Sequence, residues 1–369
     1  MVIRHLYLHI PFCHRICPYC AFYKHQPGES STSAFVDALL GELDALQKVH
    51  EIVPHTIYFG GGTPSLLSKS VLQSLLVGLR QRLLLDELTE WSTEANPMTF
   101  DRAKAQLMRD HGINRVSLGV QSWQPHLLKT LGRDHTPEQA QQSFEILTET
   151  GFPVVNIDLM FSLPGQSLSQ WEQDLQRTLS LHPKHISAYN LTYEEDTPFF
   201  DQLGQGSHQD NEDNNADHFY RADTLLTDVG FEHYEISNYA QPGARSLHNQ
   251  AYWRSADYLS LGPSAVSTVN GKRWRNVPDT ARYVAQISQG KEALREEIEV
   301  LTDQDRHNER VALRLRTTRG FACKDLDSTL RPRANELVDE GLLEVHEEHY
   351  RVRADQRALV DPIAAELML

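Results

Sequence analysis

Three of the chain's four cysteines, Cys13, Cys17 and Cys20, fall within HIPFCHRICPYCAFYKH, the stretch from His9 to His25, and the fourth, Cys323, lies far away. Three clustered thiols cannot pair among themselves without leaving one over, and a 42.1 kDa chain needs no disulfide staples to fold. Metal chemistry accounts for them better. The C-x3-C-x2-C spacing offers three thiolates on one short loop, which can hold three irons of a [4Fe–4S] cube and leave the fourth iron open. An open iron can coordinate a small molecule that carries an amine and a carboxylate. The alternative is a Cys3His zinc site drawing on His9, His14 or His25. Zinc sites usually divide their ligands between two separated knuckles, whereas here all three thiols come at once. Cys323 reads as a small buried apolar residue.

A second candidate is GGGTPS, Gly60 to Ser65. Glycines there can serve a tight strand-to-helix turn. Three in a row also suggest a backbone that approaches a ligand closely. Both stretches need elements to position them, and the first 230 or so residues supply a repeating pattern. Strands are expected at 4–10, 55–59, 90–95, 113–120, 153–161 and 185–191. Amphipathic helical stretches such as SAFVDALLGELDALQKV and SLSQWEQDLQRTLSL lie between them. Strand–helix alternation at this spacing predicts parallel βαβ units. Six units fit an α/β fold built on a partial TIM-like (β/α)6 barrel, and the G-x-G-x-x-G of a dinucleotide-binding sheet is absent.

In such a barrel chemistry gathers where the strands end. The first strand runs into the cysteines and the second into the glycines. The third ends at Glu94, the fourth at Gln121, the fifth near Asp158 and the sixth near Asn190 and Thr192. Beyond the barrel, the polar stretch 204–219 reads as a solvated loop leading into a helix, and STVNGKRW carries an Asn-Gly hairpin turn. From about residue 290 a charged helix precedes ELVDEGLLEVHEEHYRVRA, a helix stopped by Gly341 and then a small hairpin, with a winged-helix look. The expected organisation is a barrel over 1–235, a connecting region over 236–290 and a smaller C-terminal α+β domain over 291–369.

Fifty acidic against 35 basic residues give a net charge of −15, which disfavours a general nucleic-acid binder. The C-terminal stretch 290–369 is itself acidic, with 13 Lys/Arg and 18 Asp/Glu, so its wing-like hairpin points to covering or docking. No apolar run reaches the roughly 18 residues that a membrane span needs. The N-terminus lacks the features of a secretory signal, and the reading is a cytoplasmic protein with reduced thiols.

CHRICPYC followed by GGGTP resembles the radical S-adenosylmethionine (SAM) superfamily. There the open iron holds the amine and carboxylate of SAM, and an electron from the reduced cluster releases a 5′-deoxyadenosyl radical. A narrower likeness spans nearly the whole chain. YLHIPFCHRICPYCAF, FGGGTPS, STEANP, SLGVQSW, LGRDH, NIDLMFSLPGQ and LGPSAVS follow one another as in the oxygen-independent coproporphyrinogen III dehydrogenase family, HemN, and its relative HemW. The resemblance implies cluster ligation by Cys13, Cys17 and Cys20, with Tyr19 beside the cluster. It implies SAM contacts from Tyr7, Gly61 and Glu94, with Val266 packed on the cofactor. Gly62, Thr63, Gln121, Arg133, Asp158 and Thr192 match positions that serve a second SAM in the dehydrogenase.

Two departures separate the relatives. The dehydrogenase continues to a fourth cysteine where Phe22 stands here, and its N-terminal extension has no room before Cys13. Both departures are those of HemW, as is HNQAYW, His248 to Trp253, which matches the H-N-x-x-Y-W signature associated with haem. The resemblance therefore implies a haem chaperone that uses a [4Fe–4S] cluster and SAM and passes haem to acceptor haemoproteins. Oxidative decarboxylation of coproporphyrinogen III is the alternative. His248 is the candidate iron ligand, Asn249 belongs to the same signature, Tyr252 and Trp253 offer faces to a porphyrin, and Arg245 and Arg254 could pair with propionates. The segment is expected at the barrel mouth or edge. The resemblance leaves open a homodimer and peripheral attachment to a membrane.

Overall fold

The computed structural model describes residues 2–28 and 32–368. Six strands, β1 (Val2–Ile10), β2 (Glu51–Gly61), β3 (Glu90–Ala95), β4 (Arg115–Gln121), β5 (Val154–Phe161) and β6 (His185–Asn190), pair in parallel in chain order. Helices cross over between them, including Thr32–Leu46, Lys69–Arg82, Arg102–Asp110, Pro137–Glu149 and Leu168–Ser180. Three further strands extend the sheet. β7 (Glu232–Glu235) and β8 (Asn238–Ala240) add antiparallel beyond β6, and β9 (Leu259–Leu261) adds parallel to β1 on the other edge. The edge strands β7 and β9 share no ladder among the described residues, so the barrel is open.

The two-residue period of a strand explains how this sheet divides its labour. Leu6, Leu8, Ile57, Phe59, Val116, Leu118, Ile157 and Leu159 are fully buried in one core with the helices that cover the outer face. The alternate positions Tyr58, Glu94, Ser117 and Asp158 are polar and line the concave side, with Tyr7 stacked on Tyr58. Two crossover helices start at capping boxes, Thr136 with Gln139 and Ser167 with Gln170, which satisfy amide groups that the first turn leaves open.

The connecting region holds β10 (Val266–Val269) and β11 (Lys272–Asn276), joined at Asn270-Gly271, both with positive φ as a type I′ turn requires. β11 also pairs with β12 (Arg295–Val300), so the boundary expected at residue 290 falls between two strands of one three-stranded sheet. A separate core begins with the helix Asp303–Leu315. It gathers Val311, Leu315, Phe321, Leu337, Leu343, Val352 and Ile363 around the sheet of β13 (Phe321–Ala322), β14 (Leu343–His346) and β15 (His349–Val352). Gly341, at φ 76°, follows the helix Arg331–Asp339, and the expected hairpin follows it. Cys323 packs half-buried against this core. Stretch 204–219 is a loop leading into the helix Glu212–Thr227, capped by Asn211.

Candidate functional site

The cysteine loop leaves the C-terminal end of β1 and is pinned at its base, where the Cys13 N–H donates to His25 O at 3.0 Å and the His25 N–H to Pro11 O at 2.8 Å. Within it, the Cys20 N–H donates to Cys17 O at 3.3 Å, and the Lys24 ammonium caps Cys20 O. All three thiols face one cavity of about 380 Å3. The Thr63 hydroxyl lies 3.7 Å from Cys13 Sγ and Arg133 Nη1 lies 3.8 Å from Cys17 Sγ. Donors aimed at sulfur favour thiolate, whereas burial pushes the Cys13 and Cys20 thiols up. A bound metal would offset that cost.

The histidines of a zinc alternative are engaged elsewhere. His9 Nε2 bonds Tyr23 O at 2.8 Å, His14 pairs with Asp134 at 2.8 Å, and His25 bonds Thr280 and Gln26 O, both at 2.8 Å. Among the described residues no three His, Cys, Asp or Glu groups are placed to hold a single metal ion. In a cube, each thiolate of such a loop serves a different iron. The donor set therefore fits a cluster better than zinc.

The glycines pack against their own chain as well as the cavity. Gly61 and Gly62 both line it. A Cβ on Gly62 would sit 2.7 Å from Ile10 O and 2.8 Å from the Phe12 backbone, because the Gly62 and Thr63 amides bond back to Ile10 O and Phe12 O. Gly61 has φ 102°, and a Cβ there would meet the His9 ring at 2.4 Å. Its N–H donates to Glu94 Oε2 at 3.2 Å, and Tyr58 OH donates to Glu94 Oε1 at 3.1 Å. Burial, with Asp158 as a like-charged neighbour, pushes the half-buried Glu94 carboxyl up to about 7. A ligand presenting hydroxyl or ammonium donors there would be held best by the ionised form.

Asp158 is fixed by Ser117 Oγ at 2.9 Å and Asn156 Nδ2 at 2.7 Å, and burial raises its carboxyl. Arg133 Nη2 donates to Asn96 Oδ1 at 2.6 Å and Gly119 O at 2.7 Å, while its buried Nε has no acceptor. Cys13, Cys17, Cys20, Tyr19, Gly61, Gly62, Thr63, Glu94, Gln121, Arg133 and Asp158 thus line one cavity. Tyr7 lies behind its wall, stacked on Tyr58 at 6.1 Å. Thr192 is exposed and Val266 is half-buried on β10, and neither lines the cavity.

HNQAYW lies elsewhere than expected. It forms the helix Leu247–Trp253 at the end of the barrel where strands begin, opposite the cysteines. Glu90, the first residue of β3, accepts from the Leu247 and His248 N–H groups at 2.9 and 3.0 Å. Arg115, the first residue of β4, donates to Ala244 O at 2.9 Å. The helix is a floor rather than a mouth. His248 is 1% exposed, and both ring nitrogens are taken, Nδ1 by Thr56 Oγ1 at 2.7 Å and Nε2 by Tyr252 OH at 2.9 Å. Burial, then the neighbouring His5, lowers its pKa to about 3. In this arrangement both ring nitrogens of His248 are engaged inside the protein. It stacks instead on Tyr58, at 5.2 Å and 27°, so the floor touches the residue that holds Glu94. Asn249 faces a small cavity beneath the main one, beside Ser117 and Tyr189.

Tyr58, Asn96, Ser117 and Tyr189 line the main cavity and were not singled out from the sequence. The alternation of HTIYFGGG marks Tyr58 as sharing a face with Gly60, a signal that a strand-by-strand reading could have used.

The family model of the radical SAM superfamily matches residues 7–178. The heme chaperone HemW of Lactococcus lactis subsp. lactis is 34% identical over 340 residues, 92% of this chain and 88% of that protein. The heme chaperone HemW of Escherichia coli is 41% identical over 267 residues, 70% of this chain and 68% of that protein. Among solved structures, coproporphyrinogen III oxidase (HemN) from Escherichia coli, a radical SAM enzyme, superposes with TM-score 0.84 over 99% of this chain and 90% of its own. Its identity is 24%, so that likeness concerns the fold.

Proposed function

This chain belongs to the family of the haem chaperone HemW, and from that premise we propose that it binds haem and hands it to acceptor haemoproteins. The 34% identity to a HemW that extends over 92% of the chain carries this reading. In it, Cys13, Cys17 and Cys20 hold a [4Fe–4S] cluster. Glu94 and the backbone of Gly61 hold SAM in the cavity beside it, with Tyr7 and Tyr58 supporting that wall. Bound there, cluster and SAM supply one-electron chemistry at the sulfonium.

The chain's own residues bind and orient. Thr63 and Arg133 direct donors at the cysteine sulfurs, Glu94 accepts from the cofactor, and Asp158 and Gln121 line the same cavity. Phe22 stands where the dehydrogenase has a fourth cysteine and is 68% exposed. A side chain without a thiol at that place supports chaperoning over porphyrinogen decarboxylation. No helix among the described residues is long and apolar enough to cross a membrane. We place the protein in the cytoplasm, where its three clustered thiols stay reduced.

The test is anaerobic. Cluster-reconstituted protein should take up haem with a Soret band and donate it to an apo-haemoprotein faster than free haem exchanges. With SAM and reductant it should leave coproporphyrinogen III unchanged by chromatography. Multiple turnovers of that substrate, without haem transfer, would overturn the reading in favour of the dehydrogenase.

A further inference from the structure

A second cleft, of about 180 Å3, lies between the floor helix and the C-terminal unit, away from the cysteines. Trp253, Arg254, Arg314 and Arg319 line it. Among the described residues none of these three arginines has an acid within ion-pairing distance, although the chain carries a net charge of −15. Among the described residues Arg314 makes a long side-chain bond, 3.5 Å, to Arg254 O. Arg245, also on the wall, is already paired with Glu232 at 2.9 Å. The one acid on the lining, Glu235, is turned to the Ser237 amide and to Asn238, and burial raises its carboxyl to about 7.

Exposed arginines alone would mean little. Two buried donors make the difference. Trp253 Nε1 and Arg314 Nε are both shut off from solvent and have no acceptor among the described residues. Indole and guanidinium nitrogens can only donate, so a buried pair without acceptors calls for a group that only accepts. Arg314 is further depressed by burial and by Arg319, Arg310 and Arg254, with Asp325 the lone opposing neighbour. An anion in the cleft would relieve that crowding. Carboxylates fit arginine forks well. The cleft has room for carboxylates, and the tetrapyrrole ring would lie at its rim beside Trp253.

We infer that this cleft binds the propionate edge of haem, through Arg254, Arg314 and Arg319, with the ring beside Trp253. The inference rests on the haem-chaperone reading and adds to it the place where the ligand's carboxylates are held. It also gives the floor helix an accessible face, Trp253 and Arg254, while His248 stays inside.

The test compares haem with haem dimethyl ester, whose carboxylates are blocked, on cluster-loaded wild type and on the double variant Arg254→Gln, Arg319→Gln. Both changed residues are exposed, so the variant should fold. Soret titration should give the wild type at least about tenfold tighter binding of haem than of the ester, the scale of one or two charge-assisted hydrogen bonds. The variant should bind both compounds equally weakly. A variant that keeps wild-type affinity and discrimination overturns the assignment and leaves the chaperone reading standing. A wild type that binds neither compound refutes the chaperone reading, and the assignment falls with it. Inorganic phosphate that binds wild type and not the variant, while haem and ester bind alike, assigns the cleft to a free anion and overturns the haem assignment.

Discussion

Glu94→Gln separates the cost of a buried carboxylate from its use. Glu94 titrates near 7 in the fold against a reference of 4.5, because burial and Asp158 disfavour its charge. A carboxyl raised in this way favours the fold fully below pH 4.5, and that favour is lost as pH rises through about 7. Linkage over that window makes Glu94 cost about 1 kcal/mol at pH 5, where folding takes up its proton, and about 3 kcal/mol at pH 8, where it is ionised. Gln carries no charge, so it escapes this term at every pH. Its carboxamide can accept from the Gly61 N–H and donate to the Tyr58 hydroxyl, an exchange of partners that does not itself vary with pH. The difference between the two conditions is therefore the readout. Urea unfolding of the SAM-free protein should show the variant gaining about 2 kcal/mol relative to wild type between pH 5 and pH 8. At pH 8 the same variant should bind SAM about tenfold more weakly. A stability difference that is flat with pH would refute the assignment of the penalty to this carboxylate, and unchanged SAM affinity would remove Glu94 from the site.

Alanine at Cys13, Cys17 or Cys20 should abolish iron and sulfide uptake on anaerobic reconstitution, while Cys323→Ala should leave both intact; stoichiometric zinc without iron would sink the cluster. Gly61→Ala should lower stability by about 1–3 kcal/mol, since it must keep a positive φ against the His9 ring, and should weaken SAM binding in equilibrium titrations. His248→Ala should cost about 1–3 kcal/mol in urea unfolding by stranding the Tyr252 hydroxyl, while cluster iron stays at the wild-type level. A haem spectrum unchanged in that variant would fit the enclosed imidazole seen here, and loss of the Soret band with normal stability would count against it.

Much of this molecule is written in local order along the chain. The cysteine loop, the Asn270-Gly271 turn, the capped helices and Gly341 rest on neighbours within a few residues, so spacing and residue type are enough to read them. The six parallel units follow from strand–helix period. Eleven of the residues named from motifs line one cavity because most of them end or follow a strand, and strand ends of a parallel sheet meet at one rim; Asp158 joins from mid-strand on the concave face and Arg133 from beyond the next helix. The sequence could not tell which rim the HNQAYW helix would occupy. Its place depends on Glu90, Arg115 and Thr56, which lie 129 to 192 residues away along the chain from Ala244, His248 and their neighbours. Those contacts turn His248 inward and leave Trp253 at a cleft whose opposite wall belongs to another core. The glycines divide in the same way. Their run is visible in the sequence, but only the approach of β1 shows that Gly62 is demanded by the chain's own backbone. A motif lists what side chains can do, and long-range packing decides which of their atoms remain free to do it.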